Sequence, residues 1–286
     1  MNDAFRLMAV LAHPDDESLG VGGALAHYAA HRVETYLVTA TRGERGRYFT
    51  NEHRPTDAEV GRVREAELRA AACELGVREL TLLGYLDGEL DAADPGEVVG
   101  RIVAELRRVR PHVVVTFDPF GAYGHPDHVA ICQFTTAAVA AAADPAFHDS
   151  GLPPHQVAKL YYLVLTAAAW SAYQAAFKTL VSRVDGEERR AISWPDWAVS
   201  ARLDTHEQWE TVWRAVQRHE TQLALYQQLG SLTPAHHQAL WGEQSFYRAV
   251  SLVNGGRAME TDLFAGIASA VTSPGSEDRH KHEPHR

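Results

Sequence analysis

The sequence predicts an α/β fold: a doubly wound, mostly parallel, Rossmann-like sheet flanked by helices, with an irregular C-terminal part. Two observations carry the prediction. Short apolar runs of strand length alternate with stretches of helical periodicity through the first half of the chain. The tripeptide His-Pro-Asp also occurs twice, at 13–15 and 125–127, each time shortly after such a run. Ligands of open parallel sheets sit beyond the carboxyl ends of the strands. Both tripeptides are therefore expected at one edge, where they can meet.

The first strand is expected over 7–11, followed by a helix over 20–31 and a second strand over 33–39. A polar loop spans 41–55. Val60, Val63, Ala66, Ala70 and Leu75 then recur at near-helical spacing and predict a helix over 57–75. A short third strand follows at 80–83. Pro95 opens the next helix, whose apolar side is Val98, Val99, Ile102, Val103, Leu106 and Val109, and Pro111 closes it. The fourth strand is 112–117. Pro126 sits where a first helical turn tolerates a missing N–H, and that helix runs to about residue 142. Beyond it, 159–165 reads as a further strand and 204–229 as one helix, with short apolar segments at 249–253 and 261–264. Residues 1–272 are expected to form a single domain. Residues 273–286 lack apolar content and are expected to be a disordered tail.

Composition narrows the function. The 286 residues are 45 % hydrophobic and 22 % charged, an ordinary globular balance. Lys plus Arg number 27 against 37 for Asp plus Glu, a net charge of −10, which argues against nucleic acid as partner. The two cysteines, Cys73 and Cys132, form no Cys-x-x-Cys pair, so a thiolate zinc site is not expected, and Cys73 is read as a small packed apolar group. No apolar run approaches the roughly 18 residues of a membrane span. The first strand begins too close to Met1 for a signal peptide, so a cytoplasmic location is expected.

The two clusters support metal chemistry. His13 and Asp16 are three apart, with a proline stiffening the turn between them, and His128 is the natural third ligand. Catalytic zinc sites use three such ligands and keep one position open. Asp15, adjacent but not ligating, can act as the base that takes a proton from water. His125, held protonated by Asp127, can polarise a carbonyl and protonate a leaving amine, and Asp15 with His125 then predicts a bell-shaped pH dependence of kcat/KM. A lone His-Pro-Asp can equally cap a helix, and Asp16 or Glu17 can simply favour a helix N-terminus. Neither bland role needs His128 or the paired acids.

The chain resembles the LmbE-like, PIG-L family of zinc-dependent N-deacetylases. Ala12-His13-Pro14-Asp15-Asp16-Glu17 and Tyr123-Gly124-His125-Pro126-Asp127-His128 stand as its two signatures, in order, and the similarity extends to the tail. The run from Arg110 to Pro119 is similar to the branch that deacetylates N-acetylglucosaminyl-inositol in mycothiol biosynthesis. The resemblance implies one Zn2+ per chain, replaceable by Fe2+ or Co2+, with His13, Asp16 and His128 as ligands. It implies Asp15 as general base, and His125 supported by Asp127 as the electrostatic and acid group. Tyr123 falls where relatives place a mobile tyrosine that contacts the substrate carbonyl; its other reading is a pocket wall. Arg64 and Asp87 match substrate-binding positions, with a surface ion pair and a turn aspartate as the competing readings. Arg47 departs from relatives that carry an acidic residue there, which points to an anionic aglycone such as malate or to another amino sugar. His219 is a candidate for the site wall, and His236-His237 for a solvated helix start.

The implied partner is a small amino-sugar substrate, with no nucleic acid and no membrane; homo-oligomer formation is left open. Removal of acetyl from an N-acetylglucosaminide is the favoured activity. The alternatives are cleavage of a larger amide, as in mycothiol S-conjugate amidases, deacetylation of another amino-sugar metabolite, and a sugar-binding module that keeps a metal without catalysis. Asp15 argues against the last, because a pure binding site has little use for a non-ligating acid.

Overall fold

Seven strands make one sheet in this computed structural model, which describes residues 4–46, 48, 55–147, 151–177, 181–184, 186–226 and 229–267. In chain order they are β1 (Arg6–Leu11), β2 (Glu34–Thr41), β3 (Glu79–Tyr85), β4 (Val113–Phe117), β5 (Lys159–Val164), β8 (Ala201–Asp204) and β9 (Glu243–Ser251). A separate hairpin is formed by β6 (Val181–Val184) and β7 (Glu187–Arg190). The sheet order is β3-β2-β1-β4-β5-β9-β8; β1 to β5 run parallel, while β9 is antiparallel to both of its neighbours. All five residues of β4 are buried, as expected of a strand covered on both faces. The strand order reverses between β1 and β4, so the loops after these two strands open into the same crevice. The expected α/β architecture is the observed one.

The helices follow local chemistry. In α3 (Asp57–Glu74) Thr56 and Glu59 form a reciprocal capping box. In α4 (Pro95–Val109) Asp94 caps the Glu97 N–H, Val98, Ile102, Val103 and Leu106 are buried, and the helix packs against α6 (Pro126–Ala143).

Several expectations are corrected. The helix expected over 20–31 is two, α1 (Asp16–Leu19) and α2 (Gly22–Ala30), so Asp16 begins a helix of its own. The helix expected over 204–229 is broken into α8 (Trp209–Gln217), a 3-10 turn at Glu220–Gln222 and α9 (Leu223–Tyr226). The break falls where His219 and Thr221 are buried and hydrogen-bonded to other elements, which overrides periodicity. The segment expected at 249–253 is the end of β9 and the bend after it. Two further helices, α7 (Ala167–Phe177) and α10 (Pro234–Trp241), were not expected. Cys73 is exposed, because Ala71 and Ala72 take the inward positions of that turn. His236 is exposed as expected, but His237 is buried among Trp209, Trp213 and Trp241. The proposed tail, and Arg47, lie outside the described residues. Among those described, no helix is long and apolar enough to cross a membrane.

Candidate active site

The first site loop contains a strained residue. Leaving β1, the chain turns through His13 and Pro14, and at Asp15 the backbone enters the left-handed side of conformational space, φ 97° and ψ −23°. Such a backbone costs a residue with a Cβ on the order of 1–3 kcal/mol and survives only where its surroundings hold it. The turn lets the Asp16 carboxylate accept the His13 N–H at 2.8 Å. Arg64, from α3, grips the same turn. Its Nη2 donates to the Pro14 carbonyl at 2.6 Å and to Asp15 Oδ2 at 3.2 Å, and its Nη1 to the Gly43 carbonyl at 2.9 Å. Positions 43 and 46 are glycine because a side chain at either would collide with that guanidinium.

The second loop follows β4. Asp118 is buried: Oδ1 accepts the Ala122 N–H at 2.8 Å and Oδ2 the Trp194 Nε1–H at 2.5 Å. Ala122 has φ 59° and ψ −82°, a second strained position, within the kinked turn α5 (Gly121–Gly124). Beyond it Tyr123 lines the cleft, and His125 caps α6 by accepting the Asp127 N–H through Nδ1 at 3.2 Å.

The two loops converge. His13 Nδ1 lies 3.2 Å from His128 Nε2. The Asp16 carboxylate is 3.7 Å from the first nitrogen and 3.4 Å from the second. On the opposite edge of its ring, His13 Nε2 faces Asp127 Oδ2 at 3.0 Å and Asp87 Oδ1 at 3.1 Å. Asp127 also accepts the Gly88 and Leu90 N–H groups at 2.7 and 3.2 Å, and Asp87 that of Arg45 at 3.1 Å. The His128 ring stacks on Phe117 at 3.9 Å. Ligand atoms of His13, His125 and His128 lie within 4.8 Å of one another, as do those of His13, Asp87 and Asp127.

This geometry suits a divalent cation. Tetrahedral zinc with bonds near 2.0–2.1 Å has ligand-to-ligand edges of about 3.3 Å, which the three separations among His13, Asp16 and His128 approach. A ligating histidine that gives its other nitrogen to a carboxylate is the usual arrangement, and His13 has two such carboxylates. The field agrees. Burial opposes a charge on His13, but its bonds to Asp127 and Asp87 and the Asp16 charge prevail and raise it to about 10. Burial likewise opposes charge on Asp16 and Asp87, yet the neighbouring imidazoles keep both carboxyls below their usual range, Asp87 at about 2. The pocket is built to hold positive charge.

His125 differs from expectation. The Asp127 carboxylate is turned to His13 and to two backbone N–H groups, and only the Asp127 backbone reaches His125. Burial first, then the charges of His13 and His128, push His125 down to about 4. That lowering favours the neutral imidazole, in which Nδ1, accepting the Asp127 N–H, leaves the proton to Nε2. Burial, then the charges of Asp16 and Asp15, push the Tyr123 hydroxyl far up, so it remains a neutral donor.

All nine sequence-derived site residues lie on this one crevice, and its cleft of about 650 Å³ has an apolar side formed by Leu19, Leu163, Leu165, Tyr173, Val181 and Ile192. Arg64 and Asp87 line the cleft but are already engaged, by the Pro14–Asp15 turn and by His13. His219 is not a wall residue; it is buried against Glu17. Asp118 and Trp194 escaped sequence reading, because their pairing spans 76 positions. Asp118 alone left a signal, an acid directly after an apolar strand.

The family described as GlcNAc-PI de-N-acetylase, PIG-L, matches residues 8–139, the stretch carrying both loops. The chain belongs to this family of deacetylases, since relatives more than 30 % identical to it extend over most of its length. One, from Rhodococcus opacus (strain B4), is named 1D-myo-inositol 2-acetamido-2-deoxy-alpha-D-glucopyranoside deacetylase and is 38 % identical over 77 % of this chain and 82 % of its own. Another of that name, from Kineococcus radiotolerans, is 36 % identical over 92 % of this chain and 83 % of its own. The solved structure of N,N'-diacetylchitobiose deacetylase from Pyrococcus horikoshii shares the fold, with a TM-score of 0.65 at 22 % identity, covering 86 % of this chain and 84 % of that one.

Proposed function

We propose that the chain is a metal-dependent hydrolase that removes the acetyl group from an N-acetylglucosaminide, of the GlcNAc-inositol or GlcNAc-malate type. The observation that carries this reading is the approach of His13, Asp16 and His128 to one another beside two groups that need not ligate, Asp15 and His125. The substrate class rests on the relatives named above. A cation held by His13 Nδ1, His128 Nε2 and Asp16 supplies Lewis acidity for the amide carbonyl and lowers the pKa of water; zinc suits the donors, as do Fe2+ and Co2+.

The chain's own groups do the rest. Asp15 takes a proton from the attacking water as the new C–O bond forms. Neutral His125, through Nε2–H, and Tyr123, through its hydroxyl, donate hydrogen bonds to the developing oxyanion. When the C–N bond breaks, the proton held by Asp15 passes to the leaving nitrogen, so acetate and an amine result. His125 is thereby a donor rather than the acid. Asp87 and Arg45 lie on the polar side of the cleft, where sugar hydroxyls would be received.

The apolar side of the cleft favours a second reading, cleavage of a larger amide such as a thiol S-conjugate. One assay separates them: amine release from N-acetylglucosamine joined to inositol, to malate and to an alkyl group, alongside a thiol conjugate. Deacetylation is expected to be fast for a polar aglycone, to disappear on chelation and to return with zinc. Cleavage of the conjugate alone would favour the second reading; activity unaffected by thorough chelation would contradict both.

A further inference from the structure

We infer that Glu17 and His219 are positioning residues: a buried carboxylate–imidazole pair that holds Asp15 in its left-handed conformation. The inference rests on the reading of Asp15 as the base. Among the described residues four non-glycines have positive φ, and Asp15 has the largest, 97°. Its N–H donates to Glu17 Oε2 at 3.0 Å. The other oxygen, Oε1, accepts from Ser18 Oγ at 2.5 Å and from His219 Nε2 at 2.7 Å. Glu17, Ser18 and His219 are all 0 % exposed.

A carboxylate and an imidazole removed from water are a poor choice for stability alone, since a packed apolar pair of similar volume often does as well or better. A capping role for α1 would not require the second ionisable ring. His219 Nδ1 has no hydrogen-bond partner among the described residues, so the ring's hydrogen bonding is directed to Glu17 and Ser18. The segment that brings it is itself anchored. Glu67, three residues after Arg64 on α3, accepts both the Thr221 N–H and the Thr221 hydroxyl at 2.7 Å. Helix α3 therefore controls Asp15 from two directions: Arg64 grips the Pro14 carbonyl and the Asp15 carboxylate, and Glu67 fixes the turn whose His219 secures Glu17, which holds the Asp15 N–H. The C-terminal half of the chain thus sets the geometry of a residue in the first loop.

The test compares His219→Ala, His219→Asn and His219→Gln in the full-length, zinc-loaded protein, with N-acetylglucosaminyl-inositol as substrate. Three readouts are taken: kcat and KM, zinc per chain, and the Asp15 φ in crystal structures. A base displaced by about 1 Å loses on the order of 100-fold in rate, so His219→Ala is expected to lose about 10- to 100-fold in kcat, with KM and zinc content little changed and Asp15 relaxed to negative φ. His219→Gln, whose amide can donate to Glu17, is expected to recover most of kcat and the left-handed Asp15. Should His219→Ala not fold, the comparison of His219→Asn, too short to reach, with His219→Gln decides on the same readouts. Retention of wild-type kcat and φ without the imidazole overturns the inference. So does loss of kcat with Asp15 unmoved, or a folded His219→Gln no better than the truncations. A wild-type protein inactive on every amide probe sinks the functional reading instead, while the Asp15 φ in the variants still decides this one.

Discussion

In the proposed reaction Asp15 and His125, on opposite loops, act in opposite senses, one accepting a proton and one donating a hydrogen bond. Replacing Asp15 by Ala is expected to lower turnover by about 10²- to 10⁴-fold, the usual worth of a general base, while zinc analysis finds the metal still bound. His125→Ala is expected to lose about 10²- to 10³-fold, as for one oxyanion donor, again with metal retained; His13→Ala or His128→Ala should lose the metal itself. Because burial and the neighbouring positive charge hold His125 below the ordinary imidazole range, it should add no alkaline limb to kcat/KM, and His125→Gln should show the wild-type profile shape. A fall in rate between pH 6 and 8 in the wild type that vanishes in His125→Gln would restore the protonated histidine. The convergence of His13, Asp16 and His128, the proposed ligands, was readable in sequence because His13 and Asp16 are local and His128 closes the second motif. The true partner of the Asp127 carboxylate was not, since His13 reaches it only once the two loops have met.

At the scale of elements, both site loops carry a strained residue whose N–H is accepted by a buried carboxylate: Asp15 with Glu17, Ala122 with Asp118. In each case a ring from the C-terminal half anchors that carboxylate, His219 or Trp194. Trp194→Phe removes the donor to Asp118 Oδ2 and is expected to destabilise by about 1–3 kcal/mol, the penalty for an unsatisfied buried acceptor. Chemical denaturation would measure it; a change below about 0.5 kcal/mol, the range of an ordinary surface substitution, would mean that the bond to Trp194 does not hold the loop. Strands β1 to β5 were legible as short apolar runs, and α3 and α4 by the helical spacing of their apolar residues, whereas the break between α1 and α2 was not. Nor was the region from Ala201 to Trp241. There, hydrogen bonds from Thr221 to Glu67 and from His219 to Glu17 break a helix that periodicity alone would continue.

Over the whole molecule, the far end of the sheet is closed by an ionic network that no local pattern announces. Lys159, wholly buried on β5, donates to Glu260 at 2.7 Å, and Tyr161, Asn254 and Arg248 converge on the same carboxylate. Burial raises the Glu260 carboxyl, but its bonds from Lys159, Tyr161 and Asn254 outweigh that and leave it below the ordinary 4.5. A carboxyl lowered by folding contributes stability that is fully present above its unfolded value and is lost as pH falls through the folded one. Urea midpoints should therefore begin to fall as the pH drops below about 4.5, and fall less steeply in Glu260→Gln. Equal slopes in the two proteins would remove Glu260 from the acid sensitivity. Lys159→Met leaves Arg248 as the remaining cation on that carboxylate and is expected to destabilise by less than the ~3–5 kcal/mol of a wholly uncompensated buried charge.

The most direct test is anomalous diffraction at the zinc edge from crystals of the zinc-loaded protein. One peak is expected per chain, about 2.0–2.2 Å from His13 Nδ1, His128 Nε2 and an Asp16 oxygen, with Asp15 and His125 nearby but unbound. A peak on the other side of the His13 ring, held by Asp87 and Asp127, would contradict the account, as would full deacetylase activity in protein shown by the same measurement to hold no metal.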